Sequence, residues 1–226
     1  MISTNPVLEF IPVAFNPRYS NHLEGAFVEG NAWQWTTMVP HDVPGLAELM
    51  GGQASLGIWL DSLFSASPQI DGDNASMDIT GLIGQYAHGN EPGHHVPYLY
   101  RYTDKPWKTQ EVLDSILYTF YKPTPDGIIG NEDCGQMSSW YILNALGLYQ
   151  VTVGNPSFSI GHPIVDKAIL KVSENGFFTI NTLNNTKENK YVSKVLLNGK
   201  ELENKQISYF SIQAGNELTI YMAAKP

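Results

Sequence analysis

Cysteine is nearly absent. Cys134 stands alone, so no internal disulfide can staple the fold, and the redox compartment is left open. Basic residues are scarce too: 13 Lys and Arg against 22 Asp and Glu give a formal net charge of −9. No basic stripe occurs, which argues against a sequence-independent hold on nucleic acid phosphates. No window approaches 18 uninterrupted apolar residues, so no membrane span is expected. The first residues, MISTNPVLEF, lack a basic start followed by an apolar run, and the chain is expected to be soluble, with a leader cleaved upstream left open. Gly-rich phosphate loops, an EF-hand, CxxC and a dinucleotide fingerprint are missing as well. Ser138 and Ser139 sit in no nucleophile elbow.

What is present is globular. A hydrophobic share of 42% over 226 residues suffices for one large domain or two ordinary ones. The expected fold class is α+β. Up to about residue 155 the pattern is helical, with long Gly- and Pro-rich loops. Leu56, Trp59, Leu60, Leu63 and Phe64 form one helical stripe within 55–64. Asp78 is expected to cap a second helix carrying Ile79, Leu82, Ile83 and Tyr86 and fraying near Gly89. A third opens at Thr109, runs through Val112, Leu113, Ile116, Leu117 and Phe120, and stops before Pro123. The fourth follows NEDCGQ, residues 131–136, and ends near Gly147. From 156 to 226 the segments AILKVS, FFTINTL, YVSKVLLNG, ISYFSI and ELTIYMA predict a small antiparallel sandwich, with Asn175-Gly176 and Asn198-Gly199 as hairpin turns. Residues 153–163 are the expected linker. Long ordered loops in a compact domain usually carry function.

Three of those loops hold chemistry. In VEGNAWQWTTMVPHD, Glu29 lies among indole rings beside Asn31, Trp33, Gln34, Trp35, His41 and Asp42. Apolar neighbours disfavour a charged carboxyl, so Glu29 is a candidate proton donor; otherwise Trp33 and Trp35 are core and Glu29 a solvated edge. In GNEPGHH, the oxygens of Asn90 and Glu91 suit a hard cation such as calcium. Adjacent His94 and His95 would suit zinc only if their rings converged, and Pro92-Gly93 also fits a plain turn. In NEDCGQ, a helix N-terminus would favour the charges of Glu132 and Asp133. Simple capping needs one acid, so the second is free to act as a general base, to hold a metal or to tune its neighbour. Cys134 is expected to be inert, because two acids oppose its thiolate. One candidate acid, one candidate base, oxygen ligands and aromatic rings are what a sugar site needs.

Three long stretches, NPRYSNHLEGAFVEGNAWQWTTMVPHDVPGLAELMGG, GNEPGHHVPYLYRYTDKPWKTQ and DGIIGNEDCGQMSSWYILNALGLYQV, closely resemble the C-terminal half of glycoside hydrolase family 92, the calcium-dependent exo-acting α-mannosidases. PSFSIGHPIVDKAIL and the strand-rich tail continue the resemblance over nearly the whole chain. It implies that 1–155 is the later part of an (α/α)6 toroid and 156–226 a closing β subdomain. It implies Glu29 as general acid and Asp133 as general base of an inverting hydrolysis of terminal α-linked mannose, of the α-1,2 type, on glycans such as N-glycans. Asn90 and Glu91 would bind calcium. Trp33, His94, His95, Gln136 and Asn131 would contact the sugar or the attacking water. Asn131 departs from the family pattern, in which many members carry an acid two residues before the base. The resemblance also implies a secreted or periplasmic location, and packing on an N-terminal domain or self-association. Two rivals stand beside it: a non-catalytic glycan-binding or assembly module, and another inverting (α/α)6 glycosidase.

Overall fold

The computed structural model describes residues 15–226; the first ten residues read above lie outside that range. Helices α1 (Ala32–Trp35), α2 (Val43–Leu49) and α3 (Gln53–Ser65) come first. Asn31 and Gln34 close a reciprocal capping box on α1, and Asp42 caps α2 through the Gly45 N–H. The expected stripe of α3 is buried at Leu56, Leu60 and Leu63, three positions of one helical face.

The helix expected after Asp78 does not form. A short hairpin replaces it, β1 (Leu82–Ile83) against β2 (Tyr86–Ala87). Gly81 and Gly84 adopt φ +62° and +60°, which no helix tolerates, and a Cβ on Gly84 would meet the backbone of Leu63 and Phe64. Glycine conformation therefore overrides the apolar spacing. Two 3-10 segments follow, Glu91–Gly93 and Val96–Tyr102, each with a proline in its first turn. Then come α4 (Lys108–Phe120) and α5 (Gln136–Ala145), both where the sequence places them.

The remaining elements are β3 (Leu148–Tyr149), β4 (Ser157–Ile160), β5 (Lys167–Lys171), β6 (Phe177–Leu183), β7 (Tyr191–Leu197), β8 (Lys200–Glu201), β9 (Gln206–Ser208), α6 (Tyr209–Gln213) and β10 (Glu217–Ala223). They make a five-stranded sheet in the order β5-β6-β10-β7-β8 and a three-stranded sheet in the order β3-β4-β9. The expected all-antiparallel pattern needs correcting at one pair, since β10 runs parallel to β6. ISYFSI is also not one strand: Ser208 ends β9 by capping α6 through the Ser211 N–H. Asn198 and Gly199, at φ 49° and 80°, form the tight turn between β7 and β8 that their sequence predicts. Asn175-Gly176 lies in the β5–β6 hairpin as expected, in a longer loop over residues 172–176. Residues 153–163, expected as a linker, contribute β4, which pairs both with β3 and with β9.

Two apolar cores result. Leu56, Leu60, Leu99, Leu113, Ile116 and Trp140 fill the helical part. Leu148, Ile160 and Ile207 of the smaller sheet join Phe178, Ile180, Leu218 and Ile220 of the larger in the second. Polar ties cross between the parts, from Lys190 to Asp114 and from Tyr191 to Glu111, the latter at 2.6 Å. Along β6 alternate residues point inward, so Phe178 is 0% exposed and Phe177 52%. Phe178→Ala is expected to cost about 3–5 kcal/mol in urea denaturation, as for other buried aromatics. Phe177→Ala should stay within about 0.5 kcal/mol. Equal losses would mean a register shifted by one residue.

Candidate active site

The three loops singled out by sequence meet, and each contact between them is identifiable. Asn90 Nδ2 donates to the Glu29 backbone oxygen at 2.8 Å, joining the first loop to the second. The second and third meet backbone on backbone. A Cβ on Gly130 would lie 2.5 Å from the Gly89 oxygen, and one on Gly89 would lie 3.3 Å from Gly130 Cα. A side chain at Gly130 would block that approach, while one at Gly89 would first collide with Thr80 Oγ1. Glu91, two positions beyond Gly89, is thereby set against Asp133, three positions beyond Gly130.

The adjacent acids of the third loop divide their roles. Glu132 accepts from the Ser138 N–H and hydroxyl, both at 3.0 Å, and so caps α5. Asp133 is left to face Glu91. Its backbone lies at φ 46°, followed by Cys134 at 57° and Gly135 at 92°; Glu29 stands at φ 53°. Left-handed backbone costs a residue bearing a Cβ roughly 1–2 kcal/mol, and such strain collects at functional sites. The candidate acid and the candidate base both carry it.

Burial pushes the Glu91 carboxyl above its usual range, and the neighbouring charges of Asp133 and Glu29 push it further, against a backbone hydrogen bond that lowers it. One oxygen, Oε1, is buried without a hydrogen-bond partner. Among the described residues no three His, Cys, Asp or Glu side chains are arranged to hold a metal ion by themselves. The donors at hand are all oxygens: the orphaned Glu91 Oε1 and the amide oxygen of Asn90, whose nitrogen is committed to Glu29. That chemistry fits a hard cation whose shell is completed by water or substrate.

The other candidates fall into three groups. Trp33 is half-buried against Trp59 at 5.6 Å and lines, with Glu29, Tyr86 and Asn90, a cleft of about 20 Å³. Asn131 and Gln136 are exposed; Asn131 lines a separate surface cleft with His22, Asn74 and Asp78. His94 and His95 lie in the interior, 1% and 5% exposed, with Nε2 of each against a backbone oxygen, that of His88 and of Thr37. The structure places these two rings behind the loop rather than on a surface open to a sugar. Convergence on zinc is also absent, since the two rings serve different carbonyls. Cys134 is exposed and unpaired.

The sequence matches the profile of the glycosyl hydrolase family 92 catalytic domain over residues 9–224. The chain belongs to that family. It is similar in structure to a family GH92 α-mannosidase of Bacteroides thetaiotaomicron in complex with mannoimidazole, with a TM-score of 0.86 and 36% identity over 95% of this chain and 29% of that one. A family GH92 inverting mannosidase of B. thetaiotaomicron VPI-5482 aligns with a TM-score of 0.75 and 36% identity over 88% of this chain and 28% of that one. An uncharacterized secreted glycosidase of Arthroderma benhamiae is 28% identical over 96% of this chain and 26% of its own length. The chain thus spans little more than a quarter of these relatives.

Gln85 and His88, which help hold these loops in place, carry no local sequence signal. Gln85, 0% exposed, accepts from Asn31 Nδ2 through its side chain and from Gln34 Nε2 through its backbone oxygen. It anchors the Glu29 loop on the hairpin. Trp35 Nε1 fixes Val28 O at 2.8 Å. His88, whose ring nitrogens meet Tyr86 and Tyr121, packs edge-on against Trp140. Burial lowers the pKa of His94 to about 4, and it lowers that of His95 too, in each case against backbone hydrogen bonds that raise it. Both are neutral in the fold and gain a proton only on unfolding below the usual histidine value of about 6.5. Stability is therefore full above about pH 6.5 and falls below it, by up to about 1.4 kcal/mol per pH unit for each ring. Thermal melts between pH 7.5 and 5.5 at constant calcium check this, and a flat Tm would contradict it.

Proposed function

We propose that these residues form part of the active site of a glycosidase that removes terminal α-linked mannose with inversion. The observation that carries the reading is the meeting of the three loops that bear Glu29, Glu91 and Asp133, through Asn90 on the Glu29 backbone oxygen and Gly130 against Gly89. Family membership supports glycoside hydrolysis, and the solved relatives described as α-mannosidases support mannose as the sugar. One of them is described as inverting. The helical part is read as the later part of an (α/α)6 toroid, with 156–226 as the β subdomain that closes it, and the fungal relative's description supports export.

In this mechanism Glu29 gives its proton to the departing glycosidic oxygen, while Asp133 takes one from a water that attacks the opposite face of the sugar. Trp33 offers a ring for the apolar face of the mannose beside Glu29. A cleft of about 20 Å³ holds about one water, so the sugar's remaining wall lies beyond these residues. Calcium at Asn90 and Glu91, when bound, would supply positive charge to the sugar's hydroxyl oxygens and relieve the crowding of carboxylates. The α-1,2 preference belongs to the proposal, because the next-sugar subsite selects linkage.

Glu29→Gln in the full-length protein is expected to lower kcat/KM on mannobioses by about 100- to 10,000-fold, the range for a lost general acid. Activated aryl mannosides, which need little protonation, should lose far less. Equal losses on both would remove Glu29 from the acid role. Chelation of calcium should abolish turnover of mannobioses and added calcium should restore it; full activity in excess chelator would remove the cation from the scheme.

A further inference from the structure

We propose that His88 is a positioning residue that holds the loop of Asp133 in register with the wall that carries Glu29. The proposal rests on those two carboxyls being the reacting pair. His88 follows β2 directly and is 0% exposed. Its Nδ1 lies 2.9 Å from the Tyr86 hydroxyl and its Nε2 2.8 Å from the Tyr121 hydroxyl. Tyr86 lines the Glu29 cleft. The Tyr121 hydroxyl also lies 3.4 Å from the Met137 backbone oxygen, in the first turn of α5, four residues after Asp133.

One assignment of protons satisfies every polar contact of this chain. A carbonyl only accepts, so Tyr121 gives its proton to Met137 O. Its oxygen then accepts from His88 Nε2–H, which leaves Nδ1 bare to accept from Tyr86. Every link is used once and all point the same way, from the acid's wall to the base's helix. The ring is also clasped, edge-on to Trp140 at 4.4 Å and parallel to Phe120 at 5.9 Å. Its backbone oxygen takes the His94 Nε2–H at 3.1 Å, and the next residue, Gly89, makes the glycine contact. A phenylalanine could fill such an aromatic slot at no desolvation cost. Two buried hydroxyls answered by one imidazole instead specify a single arrangement of the strands and loops around it.

The test compares wild type, His88→Phe and His88→Gln in the full-length protein. Hydrogen exchange of a peptide spanning 130–138 and steady-state kinetics on an aryl α-mannoside are both read well below each variant's Tm. His88→Phe should speed exchange in 130–138 by about tenfold or more, and lower kcat by roughly 10- to 100-fold with KM within about threefold, the signature of a misplaced group rather than lost binding. His88→Gln, which can both donate and accept, should recover most of both. Wild-type exchange and kcat in folded His88→Phe, or a rise in KM alone, would overturn the proposal. Should His88→Phe fail to fold, Tyr121→Phe cuts the same chain at Met137 and carries the same expectations. A wild type that cleaves no mannoside would defeat the catalytic reading only. Exchange in 130–138 would then decide by itself, quickened supporting the positioning role and unchanged refuting it.

Discussion

The contact on which the site depends is made by two residues without side chains. Gly89 and Gly130 bring the GNEP loop and the NEDCG loop together backbone to backbone, at a separation that a Cβ on Gly130 would not allow. Everything chemical in the neighbourhood is hung from that contact. Glu91 is set against Asp133 on one side of it, and Asn90 ties the Glu29 loop to the other. Packing of long loops onto one another is unfavourable in entropy and exposes many peptide groups. It persists here because side-chain amides answer each other, the buried Asn31 and Gln85 with the half-buried Gln34, and because buried aromatic rings supply a floor.

Strain and repulsion are concentrated where the chemistry is proposed. Three carboxyl groups share one neighbourhood, two of them on left-handed backbone, and one buried carboxylate oxygen has no partner. A structure selected for stability alone would neutralise or disperse such charges. Glu132 makes the contrast clear, since it is as acidic as its neighbour and yet fully used in capping α5. Family membership places this arrangement in a glycosyl hydrolase catalytic domain.

Much of this was legible in the sequence. The stripes of α3 and α4 set by Leu56, Leu60, Leu63, Leu113 and Ile116 read directly as helices, because spacing and burial agree there. The three loops that meet were picked out by their residue types. The hairpin at 82–87 was not, since its apolar residues fall at helical intervals and only the left-handed glycines within it decide against a helix. The parallel pairing of β6 with β10 is a property of chain topology that no strand reveals alone. The expectation that His94 and His95 touch the sugar comes from the family resemblance of GNEPGHH and not from their surroundings. Their burial depends on Thr37 and His88, partners that local spacing cannot supply.

The claim that the loops deliver the carboxyl groups to one another can be tested without any substrate. Carbon-13 NMR of the side-chain carboxyl of Glu91 in calcium-free buffer should show it titrating above the ordinary glutamate range of about 4.3. Asp133→Asn should bring it part of the way down, because burial keeps the larger share of the shift. A Glu91 titration that ignores the loss of Asp133 would mean that the two loops do not present their acids to each other, and the account of the site would fail.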